Sequence, residues 1–530
     1  MKRIGVIEIG ANSVTLTLNE VEEDGYFRPI DELNTSIRLC QDLVDGTEIS
    51  SEKLNIALST LRVFKSMCQV SGAKKIIAIA TETFRRASNS QYLLNLIKEE
   101  LGIDVNILTV DKEIYYNFLG ISNTLYFDNS LMVDIEGTVT NLAWIKDGEI
   151  KALHSLPVGT LNLTSEFNLQ DRILREDIEN ANIEINNAIA ECSWLLEGDF
   201  DSIIGVGGTI KALGRIDRIK KRYPFDIEHN YTLNDMDVHE IYNLLKCKSL
   251  KQRHQIRGLP YERADIIVAG LCIFQNLLKT TNIRNIITSS SGLRDGIMYE
   301  YIKENYDYEK DMLIFSIKGI MNKLNINKGH AKHVYEISKI LFEDLKPLHK
   351  LNDSYKRIIR TSSLLHDCGI SIDYYNHHKH SFYVILNSCI NGLTHKELIL
   401  SAAVAACHRN NRYHIPLPQY SSILNRIDAK SIEYLGSILK IAEGLDRSLE
   451  GAVKEIETVI DEDNVRIYLK SPLTLELEIR QAMRSACSFK ETFNKNLIIE
   501  KIDWYIKAVS LNKKLTAFFK ISFQKMILLF

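Results

Sequence analysis

The 530-residue chain predicts an α/β fold: two half-domains with mixed sheets, followed by a mostly α-helical domain. Three observations carry that prediction. A strand–turn–strand signal occurs twice with nearly the same grammar, at 5–18 and at 131–145. Apolar strand-like runs alternate with helix-length amphipathic stretches up to about residue 304, the pattern of layered α/β units. Beyond that point the helical period takes over.

Taken in order, residues 1–125 form the first half, with strands at 3–8, 13–21 and 75–80 and helices at about 51–70, 90–101 and 111–120. Runs such as Lys75-Ile-Ile-Ala-Ile-Ala80 read as buried strands. Residues 126–304 repeat the grammar, with strands near 130–135, 140–146, 149–155, 201–206 and 285–290. The third domain, 305–510, is helical over 312–350, 354–367, 379–389, 394–410 and 430–447, and its first clear strand is 465–469. Residues 511–530 are an apolar tail, too short to span a bilayer and read as a packed terminal segment. Eight prolines and no low-complexity linker predict domains that pack rather than dangle.

Hydrophobic residues make up 45% and charged residues 25%, which places the chain among ordinary globular proteins with ample core. A net charge of −3 gives no bulk signal for nucleic acid or a membrane surface. The N-terminus lacks the apolar core of a signal peptide. Nine cysteines without CxxC pairs fit reduced thiols, so a cytoplasmic location is expected.

The repeated signal is the chemical clue. The first copy runs Gly5-Val-Ile-Glu8-Ile-Gly10-Ala-Asn12-Ser13, and the second runs Val133-Asp134-Ile-Glu136-Gly137-Thr138-Val-Thr140. Each is an apolar strand, an acid, a tight turn and a second strand, and the acids are 126 positions apart. Glycine lets backbone N–H groups approach an anion, and hydroxyls add donors. The acid can hold a metal ion against phosphate. The pair therefore reads as two phosphate clamps, carried by Gly10, Asn12, Ser13, Gly137, Thr138 and Thr140, facing across a cleft near the 125–130 junction. Gly207-Gly208-Thr209, opening a helix, is a third phosphate-friendly turn. Any one of these alone is an ordinary hairpin or helix start.

At these residues the chain resembles the Ppx/GppA family of exopolyphosphatases and guanosine pentaphosphate phosphohydrolases. The resemblance covers roughly 1–500. It rests on Glu8-Ile-Gly-Ala-Asn-Ser13, Ala80-Thr-Glu-Thr-Phe-Arg85-Arg-Ala-Ser-Asn89, Glu113-Ile-Tyr-Tyr-Asn-Phe-Leu-Gly120 and Asp134-Ile-Glu-Gly-Thr-Val-Thr-Asn-Leu142, then on Ser155–Gly159, Gly205–Thr209, Arg263-Ala-Asp265 and Gly292–Gly296. It implies an actin, hexokinase and Hsp70-like (ribonuclease H-like) fold for both halves. It implies Glu113 as the catalytic acid that activates water, Arg85 as a phosphate clamp, and Mg²⁺ supported by Asp134 with Glu8. The residue-level alternatives are a helix-capping arginine, a dipole-compensating glutamate and a turn-capping aspartate. The resemblance also implies a homodimer.

Several positions depart from the family pattern. Glu8 replaces an Asp, Glu136 a Gly, Thr138 and Val139 a Gly and a Ser, Asn141 a Glu, and Tyr115 an Arg. Asn cannot act as a general base, so the drift reads as altered or weakened catalysis.

In the last domain His330, His366-Asp367 and Asp446 resemble the HD-domain order. That implies a divalent ion at this cluster; the alternative is a purely hydrogen-bonded cluster. Residues 375–381 and Cys407-His408-Arg409 resemble further family stretches, and with Lys379 they read either as a basic track for a polyanion or as a solvated helix start. The expected function is a hydrolase of phosphoanhydrides, an exopolyphosphatase acting on inorganic polyphosphate. The alternatives are a pppGpp phosphohydrolase and a catalytically weakened protein that binds polyphosphate or an alarmone; a further one is a phosphohydrolase at the HD cluster. Neither a membrane nor a nucleic acid is an expected partner.

Overall fold

The computed structural model describes residues 1–45, 47–409 and 417–502, so the apolar 511–530 segment lies outside the described residues. The chain divides into two compact units, Met1–Ser316 and Ile317–Phe530.

The first unit holds two sheets of the same design. In one, β1 (Lys2–Ile9), β2 (Ser13–Val21), β3 (Phe27–Ser36), β4 (Lys75–Ala80) and β5 (Val105–Ile107) take the order β3-β2-β1-β4-β5. In the other, β6 (Ser130–Ile135), β7 (Thr140–Lys146), β8 (Glu149–Leu156), β9 (Ser202–Val206), β10 (Tyr231–Asn234) and β11 (Asn285–Thr288) take the order β10-β11-β9-β6-β7-β8. The first strand of each sheet runs antiparallel to the second and parallel to the fourth-placed strand, β4 or β9. The second sheet thus repeats the first and adds β10 at one edge.

Three strands escape the sequence pattern. β3 is mostly exposed, lacks a clean alternation and contains Pro29, tolerated beside the register shift at Leu18/Asn19. β5 and β10 have three and four residues, too few to show a period.

Two helices tie the halves together in a way the sequence boundaries at 125 and 304 do not suggest. Helix Val110–Ser122 belongs to the first half by sequence, yet its Ile114, Phe118 and Ile121 pack on Met132, Ala143 and Ile204 of the second sheet. Helix Leu293–Asn305 follows the second half, yet Ile297, Met298 and Ile302 pack with Ile4, Val6 and Ile79 of the first sheet. The helices meet backbone to backbone. A Cβ on Gly296 would lie 1.8 Å from the Tyr116 carbonyl oxygen, and one on Gly120 would lie 2.4 Å from that of Gly292.

The second unit is mostly helical. Helices Lys328–Asp344, Tyr355–Leu365, His377–Leu386, His395–Ala406 and Arg426–Gly444 surround a core that includes Ile337, Ile359, Ile399 and Leu439. A small sheet of β12 (Glu455–Ile460), β13 (Asn464–Lys470) and β14 (Asn496–Lys501) accompanies them, two strands more than the 465–469 run predicts. Among the described residues no helix is long and apolar enough to cross a membrane.

Candidate active site

The β1–β2 and β6–β7 turns are built alike. Gly10 N–H donates to Ser13 O at 3.0 Å, and Glu136 N–H donates to Val139 O at 3.0 Å. In register, Glu8 faces Thr15 and Asp134 faces Asn141. The two tips touch, for a Cβ on Gly137 would sit 3.0 Å from the Ala11 Cβ. Gly207 opens the helix Gly207–Lys220 with φ +79, and a Cβ there would lie 2.5 Å from Asp134 Oδ1, so only glycine fits. Between these elements lies a cleft of about 480 Å³ lined by Glu8, Gly10, Asn12, Ser13, Asp134, Glu136, Gly137, Gly207 and Gly208. The 125–130 junction takes no part in the lining.

Carboxylates crowd the cleft. Burial and the neighbouring Glu113 and Glu8 push Asp134 up to about 7, against a hydrogen bond from Asn117 Nδ2 at 2.8 Å. Desolvation, then Glu113, pushes Glu136 well above the usual carboxylate range. Desolvation also raises Glu8, although Arg294 Nε sits 3.3 Å from its Oε2. Lys211, Arg215, Arg263 and Arg294 supply positive charge along the wall. A rim contact joins the two halves, with Arg38 donating to both carboxyl oxygens of Asp265 at 2.6 and 3.0 Å. Sequence reasoning passed over Lys211, Arg263 and Arg294 as site residues, although Arg263 and Arg294 stand in motifs that carry the resemblance.

Other predicted residues are placed differently. Glu113 is fully buried and does not line the cleft. Its Oε2 accepts from Arg85 at 2.6 Å and its Oε1 from Asn141 Nδ2 at 3.2 Å. Arg85 also donates to Leu108 O, so its charge is used inside the protein and it does not stand as a clamp at the cleft wall. The carboxylate that does reach the cleft is Glu136, bound to the same Asn141 amide at 3.2 Å. Three hydroxyls expected to hold phosphate are occupied or turned away. Thr138 Oγ1 donates to Glu82 on the far side of the tip, Thr140 Oγ1 donates to Val158 O at 2.7 Å, and Thr209 is buried under Gly270. The sequence offered no sign of this, because an alternating strand does not say which hydroxyls find internal acceptors.

With that geometry in view, likeness to known proteins is informative. The description "Ppx/GppA phosphatase family" matches residues 19–305, and "Ppx/GppA phosphatase, domain III" matches 314–486. The chain belongs to the Ppx/GppA phosphatase family. It is 27% identical over 478 residues to a guanosine-5'-triphosphate,3'-diphosphate pyrophosphatase of Aeromonas hydrophila, covering 88% of this chain and 92% of that one. An exopolyphosphatase structure from Cytophaga hutchinsonii aligns with TM-score 0.55 at 23% identity, over 58% of this chain and 100% of that one. An Aquifex aeolicus Ppx/GppA family member aligns with TM-score 0.50 at 27% identity, over 58% and 99%. The two halves of this Ppx/GppA protein accordingly have the actin, hexokinase and Hsp70-like fold predicted from the sequence, and the C-terminal part is helical.

In the domain III region of this Ppx/GppA chain, His330, His366 and Asp367 converge. Burial pushes His366 down to about 4. Asp446 stands behind rather than among them. Its Oδ2 lies 2.7 Å from His330 Nδ1 and its Oδ1 2.9 Å from His333 Nδ1, while Gly451 N–H donates to Oδ1. His377 and His408, which the sequence offered as part of a basic track, are buried against Asp367 instead. Lys379 and Arg409 remain exposed.

Proposed function

We propose that the cleft hydrolyses terminal phosphoanhydride bonds and that inorganic polyphosphate is its substrate. The observation that carries this reading is the meeting of two hairpin tips over a nest of desolvated carboxylates, walled by Lys211, Arg215, Arg263 and Arg294. Transfer of a terminal phosphoryl to water requires charge neutralisation, an in-line water and a group that orients that water. Glu136 is placed for the last role. It faces the cleft, and Glu113 and Asn141 hold it from behind. Its proximity to Glu113 supports the view that a carboxylate lost at Asn141 is supplied from position 136.

The oxygen-rich donor set fits Mg²⁺. Asn12 Oδ1 is buried without a donor, and the carboxyls of Glu8 and Asp134 are held above their usual range by desolvation. Mg²⁺ typically binds through one or two carboxylates, waters and substrate phosphates. Glu8, Asp134 and Asn12 would hold it, and it would neutralise phosphate charge. No aromatic ring lines the cleft among the described residues, which supports an unadorned phosphate chain over a nucleotide base. The name of the Aeromonas relative supports a second reading, pppGpp. A homodimer belongs to the same proposal and is read by sedimentation of the full chain.

The deciding experiment measures phosphate release from long-chain polyphosphate and from pppGpp with Mg²⁺. Wild type releases phosphate from polyphosphate, and Glu136→Gln lowers turnover by roughly 10²–10⁴, the range for losing a general acid–base group. Release from neither substrate, or an unaffected Glu136→Gln, overturns the reading. Release from pppGpp alone selects the second.

A further inference from the structure

We propose that the C-terminal unit holds two divalent transition-metal ions bridged by the carboxylate of Asp367. The cluster is wider than the histidine–aspartate set visible in the sequence. On one side, His330 Nε2 and His366 Nε2 lie 3.2 Å apart, and Asp367 Oδ2 lies 3.7 and 3.6 Å from them. On the other side, His377 Nε2 and His408 Nε2 lie 2.9 Å apart, and Asp367 Oδ1 lies 3.1 and 3.5 Å from them. One carboxylate thus faces two pairs of imidazoles, one with each oxygen.

The tautomers decide what fits between them. Every one of the four rings has its Nδ1 against an oxygen that can only accept. His330 has Asp446 Oδ2 at 2.7 Å, His366 has Ser363 O at 2.8 Å, His377 has Tyr374 O at 2.7 Å, and His408 has Ala405 O at 2.6 Å. In a neutral imidazole the proton therefore sits on Nδ1 and the lone pair on Nε2. The four Nε2 lone pairs then point at each other and at an anionic carboxylate, and Asp367 Oδ1 is buried without a hydrogen bond. Lone pairs at such separations repel unless a cation lies between them.

The spacing is that of ligands on a shared ion. Metal–nitrogen bonds of about 2.0–2.1 Å place two ligands about 2.9–3.4 Å apart at angles between square and tetrahedral. The anchored Nδ1 groups are the outer partners that orient metal-binding histidines. Imidazole selects ions of the manganese, iron and zinc class over Mg²⁺. Three protein ligands per ion leave positions open for water, as metal-assisted hydrolysis requires. Asp367 is 19% exposed, which gives an entry path. The site is separate from the cleft chemistry and does not depend on it.

The test uses the full chain, stripped with chelator, loaded with Mn²⁺ alone and dialysed. Wild type retains two Mn²⁺ per chain and shows the low-temperature electron paramagnetic resonance signature of an exchange-coupled pair. Asp134→Asn keeps both ions, which separates this site from the cleft. His366→Ala and His408→Ala each abolish the coupling, and Asp367→Ala abolishes retention. His408→Gln, which keeps a polar side chain, checks that loss is not misfolding; it too loses the coupled signal with unchanged circular dichroism. Fewer than two retained ions in wild type, an uncoupled pair, or coupling that survives His408→Gln overturns the proposal.

Discussion

Two buried clusters of this protein solve the problem of packed charge in opposite ways. In the cleft, the carboxylates are supplied with partners by the chain itself. Arg85 faces Glu113, Asn117 faces Asp134, and the Asn141 amide is shared between Glu113 and Glu136. In the C-terminal unit, Asp367 is surrounded by nitrogens whose protons are committed elsewhere. One cluster is largely neutralised from within, whereas the other has its donors turned outward. A polar cluster that folds with its own counter-charges is expected to be stable without a ligand, and one that does not is expected to gain stability from a cation.

The largest expected effect tests the first half of that contrast. Arg85→Ala leaves Glu113 buried without its counter-charge and costs about 3–5 kcal/mol, read by chemical denaturation. Asp367→Asn in chelator-treated protein removes a charge that has no donor, and the midpoint of the C-terminal unit stays equal or rises; a fall comparable to Arg85→Ala breaks the comparison.

Next in size is the shared amide. Asn141→Glu puts a third carboxylate where a donor served two, and costs about 1–3 kcal/mol by leaving buried acceptors unsatisfied. Adding Glu136→Gly removes the conflict, so the double variant recovers part of the loss, with a coupling of about 0.5–3 kcal/mol in a double-mutant cycle. Additive losses mean that positions 136 and 141 act independently.

The smallest effect is pH dependence in metal-free protein. Asp134 is held at about 7 in the folded state against an ordinary value near 3.8. A raised acid binds its proton more tightly when folded. Its contribution is full below about 4 and is lost as pH rises through about 7. The thermal midpoint of stripped protein is therefore lower at pH 8 than at pH 5, and Asp134→Asn flattens that slope. Mg²⁺ at pH 8 restores the wild-type midpoint and leaves Asp134→Asn little changed; an unchanged wild type counts against the cleft as a cation site.

Much of this was legible beforehand. The two hairpins declared themselves because strand, acid and glycine recur in one register, and the order of the second sheet follows from the first. The partners of Arg85 and Thr140 were not legible, because choosing between cleft and interior depends on tertiary neighbours, Glu113 and the Val158 carbonyl, that no local pattern encodes. His377 and His408 read as polar surface because the helices bearing them show a polar run at their ends. Only the packing against Asp367 turns those runs inward. The exposed strand β3 was hidden for the reverse reason, since half its residues face water and carry no apolar rhythm.

The crossing of helices Val110–Ser122 and Leu293–Asn305 explains how such substitutions are tolerated at all. There the main chains themselves are in contact, at Gly120, Gly292 and Gly296, with no room for a methyl group. Side-chain jigsaws loosen when their pieces are exchanged, but a joint made of peptide planes keeps its angle whatever happens at the loop tips. The protein can therefore try new chemistry at Glu8, Glu136 and Asn141 while the jaws that hold those residues keep the same gape.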